Sequence, residues 1–175
     1  MRSEKPPRKS STTVTFTDRW RCRPLSKAEI PAAAALVREV FEEHVAPLYD
    51  ATGVASFLDY IDEQALVRRA GRDHVLVGAE EPDTGTLLGV LELRRYAHIA
   101  LLFVRTEHQG QGVGRVLLRY AEETARGRGR NILTVNATPN AVRAYEALGF
   151  AASDGEQEQN GIRSVPMIRS ISEHS

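Results

Sequence analysis

The hydrophobic positions change period along the chain, and each change marks a new kind of element. Val14, Phe16, Trp20 and Cys22 alternate loosely within residues 13–25 and predict a first strand. Ser26 and Glu29 then form the Ser-x-x-Glu spacing of a capping box, although Pro31 close behind removes an early helix N–H. From there Ile30, Ala33, Leu36, Val37, Val40 and Phe41 recur at helical spacing to about His44. Pro47 and Gly53 mark a break. Val54, Phe57, Leu58, Ile61, Ala65 and Leu66 predict a second helix that ends near Gly71. Residues 74–79 and 86–93 read as two strands joined by the turn Glu81-Pro82-Asp83-Thr84-Gly85.

Residues 99–104, Ile-Ala-Leu-Leu-Phe-Val, form a continuous apolar run, as in a strand buried on both faces. A Gly-rich turn, a helix over 112–126 and an apolar strand over Ile132–Ala137 come next. That strand–helix–strand unit predicts parallel pairing with a right-handed crossover. Thr138 suits the cap of a last helix with Pro139 at its first position, and Gly149 suits its stop. Residues 151–154 and 164–171 predict a closing hairpin around an exposed loop. The order is strand, two helices, three strands, helix, strand, helix, two strands, which defines a mixed α/β domain with helices covering one sheet.

Composition narrows this picture. A chain of 175 residues suits one domain, here 13–175, behind a polar, basic, Pro-containing tail at 1–12 that reads as flexible. Lys+Arg and Asp+Glu are both 23, so no overall charge draws the protein to nucleic acid or to an anionic membrane. Cys22 is the only cysteine, which excludes an internal disulfide and a thiolate zinc site. His44, His74, His108 and His174 show no metal-ligand spacing, and no metal is expected. Without an apolar span or secretory leader, the expectation is a cytoplasmic protein.

The sharpest local chemistry lies in Gln109-Gly110-Gln111-Gly112-Val113-Gly114-Arg115, between a buried strand and a helix. Three glycines let a backbone approach a ligand closely or take positive φ. The helix start adds unpaired N–H groups and a positive dipole end, and Arg115 adds a full charge. Together they suit a phosphate or diphosphate. The turn lacks the Gly-Lys-Ser/Thr of a Walker A loop, and its Gly-x-Gly-x-Gly spacing departs from the dinucleotide pattern Gly-x-Gly-x-x-Gly.

Gln109 to Gly114 matches the Gln/Arg-x-x-Gly-x-Gly/Ala signature, and the element order agrees with it. So do Asn136, the stretch from Asn140 to Tyr145, and Leu148-Gly149-Phe150. In these features the chain resembles the GNAT superfamily of N-acetyltransferases. The resemblance implies the GNAT fold: a mixed central sheet of about seven strands, helices on both faces, and two parallel strands splayed at an acetyl-CoA site. It implies transfer of an acetyl group from acetyl-CoA, as co-substrate, to a primary amine by direct attack in a ternary complex. A non-catalytic acyl-CoA sensor or interaction module is the competing reading. The amine would be a small molecule or a peptide; a homodimer is compatible with the resemblance, while nucleic acid and membrane are not expected partners.

The resemblance also assigns residues. Gln109, Gly110, Gln111, Gly112, Val113, Gly114 and Arg115 would hold the diphosphate. Leu102, Phe103 and Val104 would run beside the pantetheine arm, with an amide there polarising the thioester carbonyl. Asn136 and Asn140 would contact the arm or order their loop, and Asn140 equally suits the helix start beside Pro139. Tyr145 would be the general acid toward the departing thiolate and would also contact the cofactor; its spacing from Ala141 and Leu148 equally suits packing. Many relatives place a Glu eleven residues ahead of the motif Gln, and here that position is His98. His98 would be the base, or else a strand-end histidine held by its surroundings. Glu92, on the preceding strand, is the alternative base, or an outward-facing carboxylate. The acceptor would lie between 44–56, with Tyr49 and Asp50, and 154–163. Asp154, Glu156 and Glu158 there could attract a cation or simply be solvated.

Overall fold

The computed structural model describes residues 19–171. The basic tail and the first part of the predicted first strand lie outside the described residues. The first half of the described chain forms β1 (Arg21–Pro24), α1 (Ile30–His44), α2 (Ala51–Tyr60), α3 (Glu63–Arg69), β2 (His74–Glu80), β3 (Leu87–Arg94) and β4 (His98–Val104). The second half forms α4 (Val113–Gly127), β5 (Ile132–Ala137), α5 (Val142–Ala147), β6 (Ala151–Ala152), β7 (Gln157–Gln159) and β8 (Ile162–Ser170). The strands form one open mixed sheet in the order β1-β2-β3-β4-β5-β8-β6, with β7 paired to β8.

Two cores sandwich this sheet, as its alternating side chains require. Leu91, Leu93, Ile99, Leu133 and Val135 bury against α4 through Val113, Leu117, Leu118 and Ala121. On the other face Val90 and Leu101 meet Ile30, Leu36, Val37 and Val40 of α1. β3 is buried on both sides. β4 is not: Leu102, Phe103 and Val104 stay partly open, because among the described residues no strand covers that length of its edge.

Three expectations are corrected. The single helix predicted over 54–71 is two, because the Asp62 carboxylate accepts the amides of Gln64 and Ala65 and starts α3 afresh. Thr138 does not cap α5; its hydroxyl donates to Asn140 Oδ1 at 2.6 Å, and a short 3₁₀ turn leads into the helix. The predicted exposed loop at the chain's end is itself paired, Gln157–Gln159 against Ile162–Ser164, around an Asn160-Gly161 turn with φ of 53° and 77°. Asn-Gly is the pair that such a hairpin turn favours.

Candidate active site

β4 and β5 run parallel but pair at only two positions, His98 with Thr134 and Ile99 with Val135. β5 instead spends its whole length on β8, from Ile132↔Ser170 to Ala137↔Val165. On its other side β4 carries a bulge: Glu92 faces Leu101 while the next residue, Leu93, faces Ile99, which leaves Ala100 as the extra residue. A bulge bends its strand, and this one lies where β4 leaves β5. Beyond it the ladder fixes where the free backbone groups point. Arg105 N–H donates to Leu88 O of the β3 side at 2.8 Å. Antiparallel alternation therefore turns Phe103 N–H toward β3, and the N–H and C=O of Leu102 and Val104 toward the gap.

The Gly-rich turn sits at the end of that open edge. Gly110 and Gly112 have φ of 75° and 91°, conformations that side-chain-bearing residues rarely adopt. Gly112 is the N-cap of α4, and among the described residues no side chain caps the helix. The first bond into the helix is Val116 N–H to Gly112 O. Among the described residues, none accepts the amides from Gly110 to Arg115. Among the described residues, a Cβ on Gly110 or Gly112 would meet nothing within 4 Å, and one on Gly114 would only touch Val104 at 4.0 Å, so no described residue fills the space at these glycines. Gln109 ties the turn to β4, its side-chain amide donating to Val104 O at 3.1 Å.

The opposite face is built from side chains. His98 and Thr134 point to the α1–α3 side, and His98 Nδ1 lies 2.8 Å from Thr134 Oγ1. Burial, and then the Arg94 charge, lowers the His98 pKa below the ordinary histidine value. Glu92 is buried, contrary to an outward-facing carboxylate. The Tyr60 hydroxyl donates to one of its oxygens, and Arg69 Nη2 donates to the other at 3.1 Å. Arg69 also lies over the Tyr60 ring, 3.8 Å from its centroid, and donates to Tyr60 O at 2.9 Å. Burial and the neighbouring Glu92 push the Tyr60 phenol well up. The sequence reading missed Tyr60 and Arg69. The available signal was a carboxylate inside Leu-Leu-Gly-Val-Leu-Glu-Leu, since a buried charge needs a partner.

The two stretches assigned to the acceptor meet. Tyr49 Oη donates to Arg163 O at 3.1 Å, and Ser56 Oγ to Asn160 O at 2.9 Å. Gly53 backs against the turn so closely that a Cβ on Gly161 would stand 2.7 Å from Gly53 N. Asp154, Glu156 and Glu158 are exposed, and Glu156 lies 3.8 Å from Arg163. Tyr145 packs edge-on against Phe150, ring centroids 5.4 Å apart, within the same cluster as Leu102 and Val104. Burial raises its phenol pKa, and its hydroxyl has no hydrogen-bond partner among the described residues. Asn136 is exposed on β5, and Asn140 is engaged by Thr138. Cys22 is buried, and burial with Glu80 pushes its thiol up to about 12, which keeps it protonated.

The family model described as the acetyltransferase (GNAT) domain matches residues 45–171. The chain therefore belongs to the GNAT acetyltransferase family. It is 44% identical over 70 residues to the acetyltransferase Atu2258 of Agrobacterium fabrum, covering 38% of this chain and 49% of that one. It spans about half the length of the curated relatives it matches. A GCN5-related N-acetyltransferase of Rhodopseudomonas palustris superposes with a TM-score of 0.76 at 24% identity, covering 89% of this chain and 98% of that one. The PaiA N-acetyltransferase of Thermoplasma acidophilum, solved in complex with coenzyme A, superposes with a TM-score of 0.72 at 19% identity, over 86% and 98% of the two chains. Among the described residues no helix is long and apolar enough to cross a membrane.

Proposed function

We propose that this chain moves the acetyl group of acetyl-CoA to a primary amine by direct attack within a ternary complex. One observation carries the reading: β4 leaves β5 after two residue pairs, directly below a turn whose amides have no partner among the described residues. An open strand edge and an anion cradle on one element suit a ligand with an amide-bearing arm and a diphosphate. Acetyl-CoA supplies the activated thioester.

The amides of Gly110, Gln111, Gly112, Val113, Gly114 and Arg115, with the Arg115 charge, hold the diphosphate. Leu102 and Val104 offer backbone bonds to the arm, and the Leu102 N–H, beside the bulge, faces the thioester carbonyl as it gains charge. Phe103 and Phe57 form a wall on the acceptor side, ring centroids 5.7 Å apart. Asn136, exposed at the parted edge, can reach the arm, and Asn140 orders the turn that brings Tyr145 in. In the tautomer that donates Nδ1–H to Thr134, His98 keeps a lone pair on Nε2. His98 takes the proton that the amine sheds as its bond to carbon forms. Tyr145, kept protonated by burial, supplies a proton to the sulfur as the C–S bond breaks. Glu92, with both oxygens engaged, holds the acceptor face rather than serving as base.

The test is acetyl-CoA with a panel of amines: a polyamine, an amino sugar, an aminoglycoside, amino acids and a lysine peptide, following thiol release. Turnover on at least one is expected. Calorimetric binding of CoA with no turnover on any amine would move the chain to a binding module, and preference for NAD or ATP over CoA would defeat the reading.

A further inference from the structure

Trp20 lies ahead of the segment that matches the family model, and it is the only tryptophan in the chain. It is 7% exposed. Its indole Nε1–H donates to the carbonyl of Gln111 at 3.2 Å, across 91 positions of sequence. Its seat is fixed by the neighbouring strand. β1 pairs with β2 from Arg21↔Glu80 onward, and Arg21 and Arg23 both grip the buried Glu80 carboxylate, at 2.8 and 3.1 Å. The His108 ring, just before the glycine turn, meets Trp20 edge-on with centroids 6.2 Å apart, and the Arg19 guanidinium lies 4.7 Å from the ring centroid.

We propose that Trp20 is a positioning residue that aims the glycine turn at the diphosphate of acetyl-CoA. This rests on the proposed role of that turn in holding the diphosphate. The C=O of Gln111 and the N–H of Gly112 belong to one planar trans peptide and point in opposite directions. A glycine at 112, free to take many backbone conformations, does not by itself fix that plane. The indole does: by holding the carbonyl on the β1 side, it turns the Gly112 amide to the opposite side of the peptide, away from β1. The β1 edge thus preorganises an anion site that it does not itself touch.

Trp20→Phe keeps an aromatic ring and removes the donor. A single hydrogen bond of ordinary strength predicts a KM for acetyl-CoA raised about 3- to 10-fold, with kcat within about twofold. The discriminating donor is S-acetylpantetheine, which carries the arm and thioester but no diphosphate; its KM should be the same for the variant and the native protein. An unchanged KM for acetyl-CoA overturns the proposal, and so does an equal rise with both donors, which would mean a general loss of packing. The native protein gives a second readout independent of any variant. Saturating CoA, and not pantetheine, should shift the emission of its lone tryptophan; an unmoved spectrum at saturation counts against the role. If calorimetry shows that native protein binds no CoA, the proposed function itself falls. Binding by the native protein with an indifferent Trp20→Phe removes this inference alone.

Discussion

The proposed donor and acceptor sides of this sheet are made of different materials. On the proposed donor side the groups assigned to the cofactor are backbone amides: those of Leu102 and Val104 at an edge that no described strand pairs, and those of Gly110 to Arg115 at a helix start that no described side chain caps. On the proposed acceptor side the groups are side chains that reach one another from distant segments: Tyr60, Arg69 and Glu92, then His98 with Thr134, then Tyr49 with Arg163. A backbone site recognises a chemistry that every acetyl-CoA shares. A side-chain site can be rebuilt for each acceptor without disturbing the ladder beneath it. The two sides should therefore fail differently when broken.

The largest effect is expected from Glu92→Ala, and it should appear in stability. The change strands Arg69 and Tyr60, which are mostly shielded from water, and removing one partner of a buried pair typically destabilises by about 3 kcal/mol. Thermal or denaturant unfolding should show that loss. A variant that unfolds like the native protein would mean that Glu92 is free for chemistry. His98→Ala should come next, and in kcat instead. Loss of a positioned base lowers turnover by about 100-fold, equivalent to about 2.7 kcal/mol, with the KM for acetyl-CoA little changed. A comparable fall in acetyl-CoA binding would erase the division between the two sides.

Gly112→Ala probes the donor side alone. At φ of 91° a Cβ is strained by about 1–2 kcal/mol, and the turn relieves this by rotating its amides. The expected outcome is a KM for acetyl-CoA about tenfold higher with unchanged kcat, read by steady-state kinetics with acceptor in excess.

The same contrast explains what could be read from the sequence. Gly110 and Gly112 announce a backbone site because their positive φ favours glycine, and the order of strands and helices follows from local periodicity. The splay of β4 from β5 is legible only through the family resemblance: Ile-Ala-Leu-Leu-Phe-Val reads as doubly buried, while no described strand pairs one length of its edge. The break at Ile61-Asp62 was hidden because the apolar period runs through it, and only the Asp62 cap divides it. The Glu92 partners and the Trp20 contact join segments 23 to 91 positions apart, a pairing that no local pattern encodes.

The smallest effect, and the finest division of the acceptor side, concerns Arg94. It faces His98 across the β3–β4 ladder. Burial is the main reason that the His98 pKa is depressed, and the Arg94 charge is the second. A depressed histidine stays neutral to lower pH, so the base form persists below the ordinary histidine range, and kcat/KM should fall only on its acid side. Stability carries the same sign. It is full above the ordinary histidine pKa and is lost as pH falls toward the depressed value, because the unfolded chain takes up the proton first. Arg94→Gln removes the secondary cause and leaves burial in place, so the acid limb of the pH–rate profile should move upward, by a small amount because Arg94 is exposed and water screens it. Raising salt should shrink the difference between native and variant. If the limb stays where it is in Arg94→Gln and also survives His98→Ala, the proton is leaving by another group, and the acceptor side needs a different base.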